Sequence, residues 1–216
     1  MLSNEEDETV EGLKLIEEVY LADPQNVNAI KFLADHLFML QKYAEADKLV
    51  QKGLRILEGV VQSTDPLNKN KHNYSQLKAD LLFLQGKTQH VQEKFSAAEL
   101  SYAQALQLDP LHHASLFNSS KIAFAQSNFV KAEENLTKLL SCTNLFQESF
   151  EVLSLLGRTL VQIEGKQEKA KELLKRAIEV NHSDFITQVE LAKLYEKTDM
   201  STALRYYEFG IQNLRR

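Results

Sequence analysis

Two stretches of this chain carry the same residues 34 positions apart. Ala98 and Ala132 have Phe95 and Phe129 three residues before them, Tyr102 and Leu136 four after, and Ala105 and Leu139 seven after. Steps of three, four and seven fall on one face of a helix. A small residue, a large one and another small one along that face let a second helix come close. Recurrence at a fixed interval means that each unit buries its apolar face against its neighbours, so the chain must fold as an array of similar pieces.

The template extends in both directions. Asp109-Pro110 closes one unit. Counting back predicts a first helix from about Leu77 to His90, with Leu82 and Gly86 at its packing positions, and a second from Phe95 to Leu108. Gly86 suits a place where the two helices nearly touch. Upstream, Asp23-Pro24 closes a half-unit built on Gly12, Ile16 and Val19, and Ala46, Val50 and Gly53 repeat the triplet. Downstream come Ala170, Leu174 and Ala177, after a Gly165-Lys166 turn with one extra residue. Ala203, Tyr207 and Gly210 follow a turn with one fewer. The period and the triplet resemble the tetratricopeptide repeat, a helix-turn-helix unit of about 34 residues. The resemblance implies an all-α chain, an α-solenoid winding as a right-handed superhelix. A single array is expected over 1–216, with a half-repeat at 9–24 and repeats at about 27–58, 77–110, 113–144, 150–182 and 185–214. An insertion at about 59–75, rich in Asn, Lys and Ser, is read as a loop, parts of which could extend the flanking helices. The last helix keeps an apolar face, so the chain reads as a piece of a longer array.

Composition agrees. Seven Gly and three Pro are too few for a chain of tight β-turns, and the common residues favour helix. The net charge of −5 argues against direct nucleic-acid binding, which wants a basic footprint. No run is long and apolar enough for a membrane span. The single cysteine, Cys142, has no internal disulfide partner. The acidic start has no apolar signal core, so an intracellular, soluble protein is expected. The four glycosylation sequons at Asn73, Asn118, Asn135 and Asn181 then read as chance, two of them inside helices.

In a stacked array the first helices line one continuous face. The resemblance to the tetratricopeptide fold implies that six positions of each repeat point there, the second, fifth, sixth, ninth, twelfth and thirteenth. They hold Phe32, Phe38, Met39, Phe83, Leu84, Val91, Phe117 and Phe124, an apolar stripe suited to a partner segment. Its five Phe could supply roughly 8–15 kcal/mol on burial, against about 4–15 kcal/mol for association. Some of these rings could instead pack between helices. The ninth position holds Asp35, Lys87, Lys121, Arg158 and Lys193, a mostly basic row that could meet an acidic partner or simply be solvated. The carboxylate clamp of Lys and Asn that the resemblance would imply for the chaperone-binding subclass of this fold is not expected. Lys31 fits one slot, but Asp35 and Leu84 stand where Asn is wanted.

No catalytic constellation stands out. The six His, including the adjacent His112 and His113 after Pro110, show no ligand spacing, and the pair reads as solvated. Cys142 has no evident base, and Gly165-Lys166 lacks the rest of a phosphate loop. The chain is read as a non-enzyme with no cofactor, no metal and no small-molecule substrate.

Several segments are more specific than the repeat itself. They are Asp23-Pro24-Gln25-Asn26, then Phe32-Leu33-Ala34-Asp35-His36-Leu37-Phe38 with Tyr43, then His90-Val91-Gln92-Glu93 leading to Phe95. Glu190-Leu191-Ala192, Glu196, Thr198-Asp199 and Ala203-Leu204 complete them. These resemble the middle of the large tetratricopeptide scaffold subunit of the Paf complex, the RNA polymerase II elongation assembly. The likeness runs from about Tyr20 to Gly210 and departs at Gly59–Ser75 and at Gln188, where that family has an aromatic. It implies a nuclear scaffold that binds a segment of the Paf subunit and contacts other subunits of the complex. RNA polymerase II would be reached indirectly, and the work would be linked to histone modification. The alternatives are a generic tetratricopeptide adaptor, or the repeat arm of a larger enzyme.

Overall fold

A computed structural model describes residues 2–63, 71–142 and 146–214, with side chains described over 12–59, 73–142 and 146–213. Among the described residues the regular structure is helical. In chain order the helices are α1 (Leu2–Ala22), α2 (Val27–Met39), α3 (Tyr43–Ser63), α4 (Lys71–Val91), α5 (Phe95–Leu108), α6 (His113–Ala125), α7 (Phe129–Cys142), α8 (Phe150–Val161), α9 (Gln167–Val180), α10 (Phe185–Tyr195) and α11 (Met200–Leu214). After α1 they pair as hairpins: α2–α3, α4–α5, α6–α7, α8–α9 and α10–α11. The residues fall into two compact units, 1–115 and 116–216.

The same chemistry recurs where helices begin and end. Asn26 caps α2 by accepting from the Ala29 N–H at 3.1 Å, and Asp184 caps α10 by accepting from the Thr187 N–H at 2.7 Å. Three second helices, α1, α5 and α9, close on a side-chain turn. Asp23, Asp109 and Asn181 each accept the backbone N–H two residues on, at 3.0, 3.1 and 3.0 Å. Three first helices end in one left-handed residue, Gln41, Glu93 and Ser127, each with φ of 60°. The next N–H reaches back to the carbonyl five residues before it: Lys42 to Leu37, Lys94 to Gln89 and Asn128 to Ala123. The α8–α9 turn, residues 162–166, is two residues longer and uses Gly165, φ 80°.

Parts of the insertion extend the flanking helices, the alternative its sequence left open. α3 continues through Ser63 and α4 starts at Lys71, so both flanks extend the neighbouring helices to 21 residues each. Residues 64–70, with Asp65-Pro66, lie outside the described residues, as do Arg215-Arg216 and the His72 side chain. Three sequon asparagines, not two, stand in helices: Asn73 in α4, Asn118 in α6 and Asn135 in α7. Asn135 is buried and donates to the Ser119 hydroxyl.

The core of the first unit lies where α2, α3, α4 and α5 meet, and includes Ala34, Val50, Leu57, Leu81, Leu84 and Ala105. In the second unit, Leu174, Ile178 and Leu191 join α9 to α10. The small residues are there for closeness. A Cβ on Gly86 would stand 2.4 Å from the Tyr102 ring, and one on Gly157 would stand 2.7 Å from Leu174. Gln188, where the Paf-scaffold resemblance has an aromatic, is fully buried in the second unit. Its amide donates to the His182 carbonyl, which also accepts from Asn213 at 2.7 Å. A polar tie thus stands where ring packing would otherwise fill the space.

Candidate functional site

In the first unit, α2 and α4 lie side by side, and two ion pairs cross between them. Lys31 Nζ is 2.8 Å from Asp80 Oδ2, and Lys87 Nζ is 2.9 Å from Asp35 Oδ1. Helical spacing aligns the rungs: Lys31 and Asp35 are four residues apart on α2, Asp80 and Lys87 seven apart on α4. The charges are crossed, so each helix offers one cation and one anion.

Between the rungs is a cleft of about 230 Å³, lined by Lys31, Phe32, Asp35, Asp80, Phe83 and Leu84. Four of these were predicted from the repeat positions: Phe32, Asp35, Phe83 and Leu84. Phe32 is 52% exposed. Lys31 lies over its ring at 5.1 Å, and Lys87 lies over the Phe38 ring at 4.1 Å and the Phe83 ring at 5.6 Å. Each ammonium therefore faces a carboxylate and an aromatic at once. Beside it, Asn28, Lys31, Asn73, Tyr74, Gln76, Leu77 and Asp80 line a second, polar hollow of about 450 Å³.

Asp80 also accepts from His112 Nε2 at 3.0 Å. Burial alone would raise its carboxyl, but hydrogen bonds from His112 and Lys31 and the Lys31 charge outweigh this and hold it below the usual value of 3.8. His112 is not a solvated turn residue, contrary to expectation. It stands immediately before α6, and its Nδ1 accepts the Ser115 N–H at 3.2 Å, a capping role usually filled by Asn, Asp or Ser. The Ser115 hydroxyl is 2.8 Å from the same nitrogen. With Nδ1 accepting, the ring proton resides on Nε2 and points at Asp80. The order Ser115–His112–Asp80 matches a nucleophile–base–orienter chain. Ser115, however, is fully buried, so no substrate carbonyl can approach its oxygen. The trio caps a helix and anchors Asp80.

The predicted apolar stripe divides in the structure. Phe32, Met39 and Val91 are exposed, at 52%, 71% and 47%. Leu84 is a core residue, 5% exposed, because α4 turns it toward α3 and α5; it forms the floor of the cleft and not a free surface. Phe38, Phe83 and Phe124 are half-buried against second-helix or turn rings. Phe38 meets Tyr43 at 5.3 Å, Phe83 meets Tyr102 at 6.0 Å and His112 at 5.4 Å, and Phe124 meets Phe129 edge-on at 5.7 Å. Much of the burial energy assigned to a partner is thus already used in folding.

The basic row is also altered. Lys87 is paired with Asp35, and Lys193 with Glu190 one turn away at 3.1 Å. In the second unit, Lys121 lies over Phe117 at 5.8 Å and Arg158 over Phe124 at 5.0 Å. No group of His, Cys, Asp and Glu among the described residues could hold a metal ion. No described helix is long and apolar enough to cross a membrane.

The structure is similar to solved tetratricopeptide proteins. YrrB, a protein of this class with an unusual peptide-binding site, matches with a TM-score of 0.72 and 14% identity over 93% of this chain and 92% of its own. MamA from Desulfovibrio magneticus RS-1 matches with 0.68 and 14% over 88% and 95%, and Pseudomonas aeruginosa PilF with 0.64 and 21% over 87% and 76%. No protein-family model matches the chain. The likeness at these identities is one of architecture, and on it the chain has the all-α tetratricopeptide solenoid fold.

Proposed function

We propose that this chain is a protein-binding repeat scaffold, and that the α2–α4 cleft is where it takes hold of a partner segment. The observation that carries this is Phe32, left 52% exposed beside a hollow that Lys31, Asp35, Asp80 and Phe83 frame. A half-open aromatic between fixed charges suits an apolar anchor flanked by polar groups. The peptide-binding site described for YrrB supports the same reading by analogy of fold. For the partner, the sequence segments that resemble the Paf-complex scaffold favour a segment of the Paf subunit, bound in the nucleus within the elongation assembly. The exposed Val91 lies in one of those segments, and Phe32 and Asp35 lie in another.

The test is pull-down from nuclear extract, followed by titration with a Paf-subunit peptide. Recovery of RNA polymerase II and Paf-complex subunits is expected, and Phe32→Glu should weaken peptide binding about tenfold or more, as for a charge placed in an apolar contact. Equal binding by Phe32→Glu would remove the cleft from the account. Binding to other proteins without Paf subunits would favour a generic adaptor, the reading with no nuclear partner attached. A catalytic domain in the full-length gene product would favour the repeat arm of an enzyme.

A further inference from the structure

In the second unit, two lysines converge on one tyrosine where consecutive hairpins meet. Lys171 and Lys175 stand four residues apart on one face of α9, and Tyr195 is the last residue of α10. Their ammonium nitrogens lie 5.0 and 5.4 Å from the centre of the Tyr195 ring. Among the described residues, Tyr195 is the one ring that two cations share. Behind it the Tyr206 ring of α11 is stacked at 6.0 Å, and both rings rest on the core of Leu174, Ile178 and Leu191. Lys171 is paired at 2.8 Å with Glu168, whose side chain is 88% exposed. Lys175 has no ion pair among the described residues. Its ammonium is held above the ordinary lysine range, first of all by a hydrogen bond to the Tyr195 oxygen. The carboxylates felt here, Glu168 beside the lysines and Glu179 beside Tyr206, are both exposed.

An uncharged hydroxyl leaves most of this positive charge unanswered. A phosphate on the same oxygen would carry a charge of about −1.5 to −2 and three acceptor oxygens to it. Tyr207, 12 residues on, is the opposite case. Its hydroxyl already donates to Glu196 at 2.6 Å, and a phosphate there would meet a carboxylate. Access differs from that of a core tyrosine as well. Residues 196–199, directly after Tyr195, are all exposed in the turn that ends α10, so fraying of one helix end presents the hydroxyl. We propose that Tyr195 is a phosphorylation site, and that Lys171 and Lys175 are the cradle that receives its phosphate. A tyrosine kinase transfers the γ-phosphoryl group of ATP to the Tyr195 oxygen. The new O–P bond replaces the bond to the β-phosphate, ADP leaves, and the phenolic proton is lost to the kinase base. The bound phosphate then ties α10 to α9 and tightens the seam between their hairpins. The proposal neither uses nor depends on the α2–α4 cleft.

The first test treats the full chain with a tyrosine kinase of broad specificity and ATP, and maps the phosphate by mass spectrometry. Tyr195 should be labelled ahead of Tyr206 and Tyr207. Labelling of those two with Tyr195 left bare would overturn the proposal. The second test bypasses the kinase, with phosphotyrosine installed at position 195 by genetic encoding. Its ³¹P resonance should titrate below the ordinary midpoint of about 6, because two ammoniums favour the dianion. The midpoint should return toward 6 in Lys171→Met/Lys175→Met, and the unmodified double variant should keep its helicity by circular dichroism. The phosphorylated chain should also melt at a higher temperature than the unmodified one, a gain that the double variant loses. A midpoint at the ordinary value, or one that the lysine substitutions leave unmoved, would remove the cradle. A lower melting temperature on phosphorylation would do the same.

Discussion

Tyr102 sits beneath Gly86 with its ring in contact and its hydroxyl buried. Among the described residues that oxygen is the one buried side-chain polar atom with no hydrogen-bond partner. Burial pushes the phenol well above its ordinary range, so it stays neutral. Removing an unsatisfied buried hydroxyl returns about 1 kcal/mol or more. Tyr102→Phe should therefore raise the urea midpoint. Gly86→Ala should lower the unfolding free energy by about 1–3 kcal/mol through overpacking, less up to about 1 kcal/mol of helix propensity gained, and so lower the midpoint. Asp80 supplies a pH test. Its folded-state carboxyl is depressed, so its contribution is present above the unfolded value and lost as pH falls through the folded one. The stability gap between the wild type and Asp80→Asn should thus be constant from neutral pH down to about 5 and close only below about 4, read from denaturant midpoints across pH.

At the level of elements, the helix pattern was open to reading because burial repeats. α5 falls on Phe95–Leu108 as the spacing predicts, and Gly86 and Gly157 mark close approaches that only a missing side chain permits. The ladder between α2 and α4 was not legible. Asp80 occupies a repeat position that faces the cleft, but a search for an apolar stripe passes over a carboxylate. Its partners are 49 residues away at Lys31 and 32 away at His112. His112 was misjudged for a related reason: a histidine in an N-cap slot looks like a turn residue until the Ser115 N–H is seen to point at it. Leu84 was misplaced because one helical step separates cleft wall from core. The ladder makes its own prediction. A double-mutant cycle on Lys31→Met and Asp80→Asn should show coupling of about 0.5–1 kcal/mol, the range for partly exposed pairs. Zero coupling would mean that the rung is a geometric contact without energy. The turns make another. Gln41, Glu93 and Ser127 each adopt a left-handed backbone that costs a side-chain-bearing residue about 1 kcal/mol. Glycine at any of the three should stabilise by a few tenths to about 1 kcal/mol in thermal unfolding.

For the whole molecule, stability in such an array is a sum over units and the seams between them. α1 has one face open, with Leu15 and Val19 in solvent, whereas α4 and α5 are covered on both sides of Gly86 and Tyr102. Amides of α1 should exchange with solvent at least about tenfold faster than those of α5, since local opening there exposes less apolar surface. Comparable protection by hydrogen-exchange mass spectrometry would argue that α1 is held by something more than α2. The recurring joints have a longer consequence. A side-chain turn at Asp23, Asp109 and Asn181, after every second hairpin, and a left-handed residue inside three hairpins at Gln41, Glu93 and Ser127 give the array recurring, matching fittings. A gene segment duplicated or lost between two such fittings would rejoin like to like. Lineages carrying this chain could then lengthen or shorten it by whole units while its neighbours keep their sequences.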